Sequence, residues 1–408
     1  MQLNLGQKNL STNELKNSFA GIIMVANTFI WYLYSCRILS EVTLNSEFSN
    51  AQVLLIWSMT ILGAVVTSFF GFYISNKVKT KTAFIRYWLI AGIPLSLLPL
   101  IINVTSFFHS IIFFSLAGAY FGLGMPVSLA YFASITKETN RSRLGGFTFL
   151  TIFIGVTILG ALGITDPQLN GIVLAVVKAT GIVAILKINV AEDIIPKDNV
   201  SYKQIFKNRT FMLYFIPWIM FSIANYIAAP IVSQIFHPDL FQSLMMTENV
   251  LAGVFAVVSG FLADYIGRRR LVLTGFVLLG LGYASLGLFS ESIAGWWLYT
   301  VVDGVAWGIF YTIFLMTIWG DIALGKNSEK YYAIGYLPFL FSILTQLSVG
   351  TTISSTINST AIFSFTSLFL FIAVLPLAYA PETLPLQVMK NRELHNYIKK
   401  AQRVKDSS

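Results

Sequence analysis

The chain has 408 residues, 56% of them hydrophobic and 11% charged, with a mean hydropathy of +0.72 and a formal net charge of +9. Soluble domains carry about 25% charged residues, so this chain has too few to cover a water-facing surface. Nor does the positive charge point to nucleic acid, because the basic residues fall in the connections between apolar runs.

The first 16 residues are polar and rich in asparagine, without the charged, apolar and small-residue order of a cleavable leader. The first apolar run is therefore expected to stay as an uncleaved anchor. Runs of about twenty apolar residues are long enough to cross a hydrocarbon core of ~30 Å. They recur near 17–38, 51–74, 84–103, 107–134, 145–164 and 171–191, and again near 210–234, 244–264, 271–290, 294–319, 331–354 and 360–380. Strands of a membrane barrel would instead alternate apolar and polar residues over ~10 positions. The expected fold is all-α and polytopic, with twelve transmembrane helices. The one cysteine, Cys36, excludes an internal disulfide and a multi-cysteine metal site.

Alternate connections hold nearly all the basic residues. They carry Lys77, Lys79 and Lys81; Lys137, Arg141 and Arg143; Lys197, Lys203, Lys207 and Arg209; Arg268, Arg269 and Arg270; Lys326 and Lys330. The tail adds Lys390, Arg392, Lys399, Lys400, Arg403 and Lys405, whereas the opposite connections contain no lysine or arginine. This bias marks the cytoplasmic side, so both termini are expected inside a cell membrane, with some contact to anionic lipid.

The longest polar interruption, around 191–209, separates six spans (1–190) from six more (210–380), followed by a tail (381–408). The two halves are related. "GFYISNKVKTK" from Gly71 aligns with "GFLADYIGRRR" from Gly260 at an offset of 189. "AGAYFGLGMP" from Ala117 aligns with "DGVAWGIFYT" from Asp303 at an offset of 186, sharing Gly118/Gly304 and Gly122/Gly308. Two parallel six-helix repeats form a transporter architecture.

The stretch from Gly260 concentrates charge where the eighth span ends. Gly260 and Gly267 allow close approach and reversal, and Asp264 at the membrane boundary needs a cationic partner. Arg268 stands one helical turn on, and Asp321, ending the tenth span, is a second partner for the arginines. "GFLADYIGRRRLVL" resembles the signature loop of the major facilitator superfamily: glycine, three residues, aspartate, two residues, glycine, two basic residues. Gly260, Asp264, Gly267, Arg268 and Arg269 meet every position. The resemblance implies that fold over the whole chain and a cytoplasmic gate made by this loop with Asp321. The first-half copy departs from the pattern, with Ser75 in place of the aspartate and Val78 in place of the second glycine; an aspartate restored at 75 is expected to be tolerated. "PET" at Pro381 to Thr383 is similar to the sequence closing many sugar and organic-ion porters, although a proline ending a helix is commonplace.

In that fold the first, fourth, seventh and tenth spans line the pathway. Helical spacing selects Asn27, Trp31 and Tyr34; Tyr120; Trp218 and Asn225; and Trp307 and Tyr311, for which interhelical packing is the competing role. An aromatic wall with scattered amides suits a small organic solute. Charged groups inside spans are costly and read as functional, which nominates Asp303, Glu248 and Lys178 for coupling, with a Lys178–Asp303 pair as the alternative. Arg37 is expected to anchor at the outer interface.

A phosphate-cradling GxxxxGK[ST] loop is absent, as are an HExxH pair and any other catalytic set. The expectation is a secondary transporter, not an enzyme, that takes a small-molecule substrate and couples it to a proton or other ion. It is expected to be monomeric in the lipid bilayer, without cofactor, metal or nucleic acid. A facilitative uniporter or a drug or organic-ion exporter of the same fold is the nearest alternative. A non-transporting membrane sensor is the alternative from another class.

Overall fold

The computed structural model describes residues 12–78, 80–186, 200–235 and 238–385, together with 389, 390, 394 and 402. Lys79, most of the central polar connection, His237 and most of the tail lie outside the described residues.

Twelve helices among the described residues are long and apolar enough to cross a membrane. The first six are α1 (Ser18–Asn45), α2 (Asn50–Ser75), α3 (Lys81–Leu100), α4 (Phe107–Ile135), α5 (Arg141–Ala161) and α6 (Pro167–Leu186). The second six are α7 (Arg209–Val232), α8 (Gln242–Ile266), α9 (Arg268–Leu288), α10 (Ile293–Ala323), α11 (Ser328–Thr356) and α12 (Ser359–Ala378). Number and order agree with the hydropathy pattern. The largest difference is in α1, which runs seven residues past the expected end. Ser40, Glu41 and Thr43 lower the hydropathy there, but no glycine or proline breaks the helix, and Thr43 returns its hydroxyl to the Leu39 carbonyl at 2.9 Å.

Local chemistry sets the helix starts. Ser49 and Gln52 form a capping box ahead of α2, and Ser201 with Gln204 does the same for a short helix, Tyr202–Lys207. Thr80 caps α3 by accepting the Ala83 N–H at 3.1 Å. Further along, Gly118 and Gly122 of α4 lie against the Thr60 and Ala64 carbonyls of α2. Gly304 and Gly308 of α10 lie against α8 at Glu248 and at Phe255 and Ala256. The glycines shared by the repeats thus do the same work in each half, letting two backbones meet without a Cβ between them.

The chain forms two compact units. The first comprises Met1–Thr136, Thr151–Asn199 and Asn327–Ala333; the second comprises Lys137–Leu150, Val200–Lys326 and Ile334–Ser408. A division at the central connection alone would miss the two short exchanged segments, which begin α5 and α11. Within the second unit α10 changes winding, with Tyr311–Thr317 as a π-helix. Such turns are rare and leave carbonyls without their usual donors. The Thr317 hydroxyl takes up one, donating to the Thr312 carbonyl at 2.7 Å.

Candidate functional site

The signature loop builds a buried ion network inside the second unit. Asp264 is 2% exposed and accepts the backbone N–H groups of Ser142 (3.2 Å) and Arg143 (3.0 Å) in the first turn of α5. A carboxylate there meets the positive end of the helix dipole and satisfies two orphan donors. Asp264 also pairs with Arg143 Nε at 3.1 Å and with Arg268 Nη2 at 3.2 Å. Gly260 makes room for this, since a Cβ would strike the Ser142 carbonyl oxygen at 2.5 Å.

Arg268 is wholly buried. Its guanidinium lies against Asp321 at 3.1 Å and donates to the carbonyls of Ala263 (3.3 Å) and Glu138. Asp321 is paired in addition with Arg141 and accepts the Thr383 hydroxyl at 3.3 Å. Three arginines therefore face two buried aspartates, with backbone groups supplying the remaining partners, so the charges leave water compensated rather than alone.

"PET" belongs to the same structure. The Glu382 carboxylate accepts the N–H groups of Arg268 (2.8 Å) and Arg269 (3.1 Å), doing for α9 what Asp264 does for α5. Arg269 donates back to the Ala380 carbonyl at 3.0 Å, and Tyr214 donates to that of Pro381 at 2.8 Å. Gly267 has φ of +103°, and a Cβ there would meet the Glu382 carboxyl carbon at 2.8 Å, so glycine is required twice over.

Asp303 and Glu248 gather in the second unit. They act on one another electrostatically, and Gly304 holds α10 against the Glu248 backbone. Asp303 is 3% exposed; the Tyr299 hydroxyl stands within its hydrogen-bonding reach, and its Oδ1 has no partner. Tyr299 donates to Tyr283 at 3.1 Å, and Tyr283 donates to Asn225 Oδ1 at 2.9 Å. Tyr226 and Tyr311 also lie within the field of both acids. Among the described residues, no lysine or arginine forms an ion pair with either carboxylate.

Lys178 belongs to the first unit. Its fully buried Nζ has no hydrogen-bond partner and sits 4.4 Å from the Trp88 ring centroid, 4.8 Å from Trp31 and 5.0 Å from Tyr120. The cage is rigid, because each ring spends its polar group elsewhere. Trp31 donates to Ser96 (2.8 Å), Trp88 to the Tyr120 carbonyl (2.8 Å), and Tyr120 to the Trp88 carbonyl (2.8 Å). Ring faces, not Asp303, are the recorded partners of this ammonium.

The other pathway candidates divide. Asn27 donates to Val177 and to Thr180 (3.2 Å), leaving Oδ1 without a partner. Tyr34 donates to Asn170 at 2.5 Å. Trp218 stacks on Phe314 at 4.6 Å and donates to the Gly335 carbonyl at 3.0 Å, a core role. Trp307 stacks on Tyr311 at 4.8 Å, and Tyr311 stacks on Phe149 at 4.9 Å. Arg37 pairs with Glu41 on its own helix at 2.9 Å. Sequence reasoning did not single out Arg141, Arg143, Glu382 or Trp88. Only the "PET" match carried a signal for one of them.

Residues 210–396 match the family model described as Major Facilitator Superfamily. No curated protein matches the chain by sequence. The solved proton:xylose symporter XylE, bound to 6-bromo-6-deoxy-D-glucose, aligns with a TM-score of 0.67 at 13% identity, covering 92% of this chain and 97% of its own. FucP in the outward conformation gives 0.69 at 11%, covering 90% and 99%. The human organic anion transporter MFSD10 (TETRAN) gives 0.60 at 14%, covering 89% and 99%. The match to the major facilitator superfamily model covers residues 210–396, and the likeness of fold to these three transporters extends over about nine-tenths of the chain.

Proposed function

We propose that the chain is a secondary transporter that moves a small organic solute by alternating access, coupled to a proton or other cation at Asp303 and Glu248. The observation that carries the reading is that Asp303, buried among tyrosines with one oxygen unpartnered, lies within the field of a second, half-buried carboxylate, Glu248, and neither forms an ion pair with a lysine or arginine among the described residues. Low dielectric makes an uncompensated charge pair unfavourable, so this position calls for a proton or a cation. The Asp264–Arg268–Asp321 network supports a gate on the basic, cytoplasmic side of a cell membrane. The aromatic and amide residues support a solute with both apolar and hydrogen-bonding faces. A second reading, carriage of an organic anion, rests on the Lys178 ammonium, which has rings but no counter-ion around it.

The test is reconstitution into liposomes and a screen of sugars, organic acids and amines for uptake driven by an inward proton gradient. With the solute so identified, Asp303→Asn is expected to abolish uphill accumulation while preloaded counterflow continues. Unchanged accumulation in that variant refutes the coupling role, and a chain that binds but moves none of the solutes refutes transport.

A further inference from the structure

The first-half copy of the signature loop lacks its aspartate, and the structure shows where the missing charge has gone. In the second unit the acid comes from α8 and the base from the first turn of α5, as Asp264 against Arg143. The internal repeat places Ser75 opposite Asp264 at the 189 offset, and Ser328 and Glu329 opposite Ser142 and Arg143 at the 186 offset. At the start of α11, then, the repeat has an acid where its counterpart has a base.

That acid is engaged. Glu329 lies in the first turn of its helix and pairs with Lys81 Nζ at 2.6 Å; the Glu329 side chain is 2% exposed and that of Lys81 11%. Lys81 opens α3, directly after the degenerate loop. Lys330 extends the contact, its Nζ lying 4.1 Å from the centroid of Phe72 on α2. Ser75 is buried and turns its hydroxyl to its own helix, donating to the Phe72 carbonyl at 3.0 Å.

A helix N-terminus favours negative charge. For α5 that charge is supplied by another helix, through Asp264. For α11 it is built into the first turn as Glu329, and the partner helix must then supply a cation. We infer that the first half carries a sign-inverted latch in which Glu329, paired with Lys81, takes over the work of the aspartate missing at position 75. This rests on the transporter reading, in which such contacts hold one side closed. It reverses the sequence expectation for position 75, because an aspartate there would bring a second carboxylate to the acidic end of α11.

The test uses thiol accessibility and needs no solute, so it can fail while the uptake experiment succeeds. In full-length Cys36→Ser protein in detergent, Ser142→Cys places a thiol at a wholly buried position beneath Asp264, to be labelled with N-ethylmaleimide. If both latches hold one closed state, Glu329→Gln and Lys81→Glu each raise the labelling rate on the order of a hundredfold, the effect of a buried pair losing one partner. The reversed pair, Lys81→Glu with Glu329→Lys, returns it towards the parent rate, and Lys81→Arg leaves it unchanged. Ser75→Asp raises it alone and not in combination with Glu329→Arg. A reversed pair that labels as fast as the single variants overturns the inference, and so does a Glu329→Gln protein that labels at the parent rate.

Discussion

Asp264→Asn offers the sharpest test of the second-half network. The substitution is nearly isosteric and keeps one acceptor oxygen, so one of the two α5 N–H groups retains a partner. The other faces an amide NH2, and Arg143 and Arg268 both lose a negative neighbour at 3.1–3.2 Å. Hydrogen bonds to a charged group contribute about 1.5–3 kcal/mol, and stripping a buried ion of its partner costs about 3–5 kcal/mol. Arg268 keeps Asp321 and two carbonyls, which moderates the second figure and leaves about 3 kcal/mol for the whole change. The Arg143 side chain is 39% exposed, so Arg143→Met should cost only about 1 kcal/mol. Thermal or SDS-induced unfolding in detergent, followed by tryptophan fluorescence, can measure both variants and their combination. The double variant is expected to fall short of the summed single effects by about 1 kcal/mol. Additive single effects, or an Asp264→Asn protein as stable as its parent, would refute the claim that this carboxylate ties α5 to α8.

Glu382→Gln is expected to lower stability by about 1 kcal/mol through loss of charge at the α9 N-terminus. Gly267→Ala is expected to cost more, because positive φ and the Glu382 carboxyl group both oppose a Cβ; the ranking can be read from the same unfolding curves. Lys178→Met should leave stability unchanged or raise it by about 1 kcal/mol, since a buried ammonium without a counter-ion gives way to a thioether among rings. A clear destabilisation would instead reveal a counter-ion for Lys178. For sidedness, in a Cys36→Ser background, Glu291→Cys is expected to react with an impermeant maleimide applied to intact cells and Lys77→Cys only after permeabilisation; both positions are exposed. Reversed labelling would invert the assigned topology.

The twelve spans were legible because a membrane imposes one length and one polarity on every crossing helix. The repeat was legible because glycines that admit a neighbouring backbone tolerate no replacement side chain, and Gly118, Gly122, Gly304 and Gly308 all sit at such contacts. Asp264, Arg268 and Asp321 could be chosen because an acid beside a membrane boundary must be answered by a base. Arg141 and Arg143 escaped for a complementary reason. A basic residue between spans is already accounted for by the topology signal, so nothing in the sequence marked these two as partners of acids 121 to 180 residues away. Trp88 escaped because hydropathy says how deep a ring lies but not which way it faces. Glu382 escaped because its role depends on where the chain turns back after α12.

Asp303 and Asp321 lie 18 residues apart on α10, which is five turns of an ideal helix at about 3.6 residues per turn. On a regular helix one rigid face would carry both carboxylates. The π-wound stretch from Tyr311 to Thr317 lies between them, and each turn closed from i to i+5 absorbs one more residue than an α turn. One such residue is a lag of about 100°. Asp303 can therefore look towards Tyr299 while Asp321, on the same shaft, looks towards Arg141 and Arg268. In mechanical terms α10 is a crank with an offset rather than a straight rod. Rewinding that stretch as a regular α-helix, with every residue kept, would align the two throws and turn one of the two aspartates away from its partners.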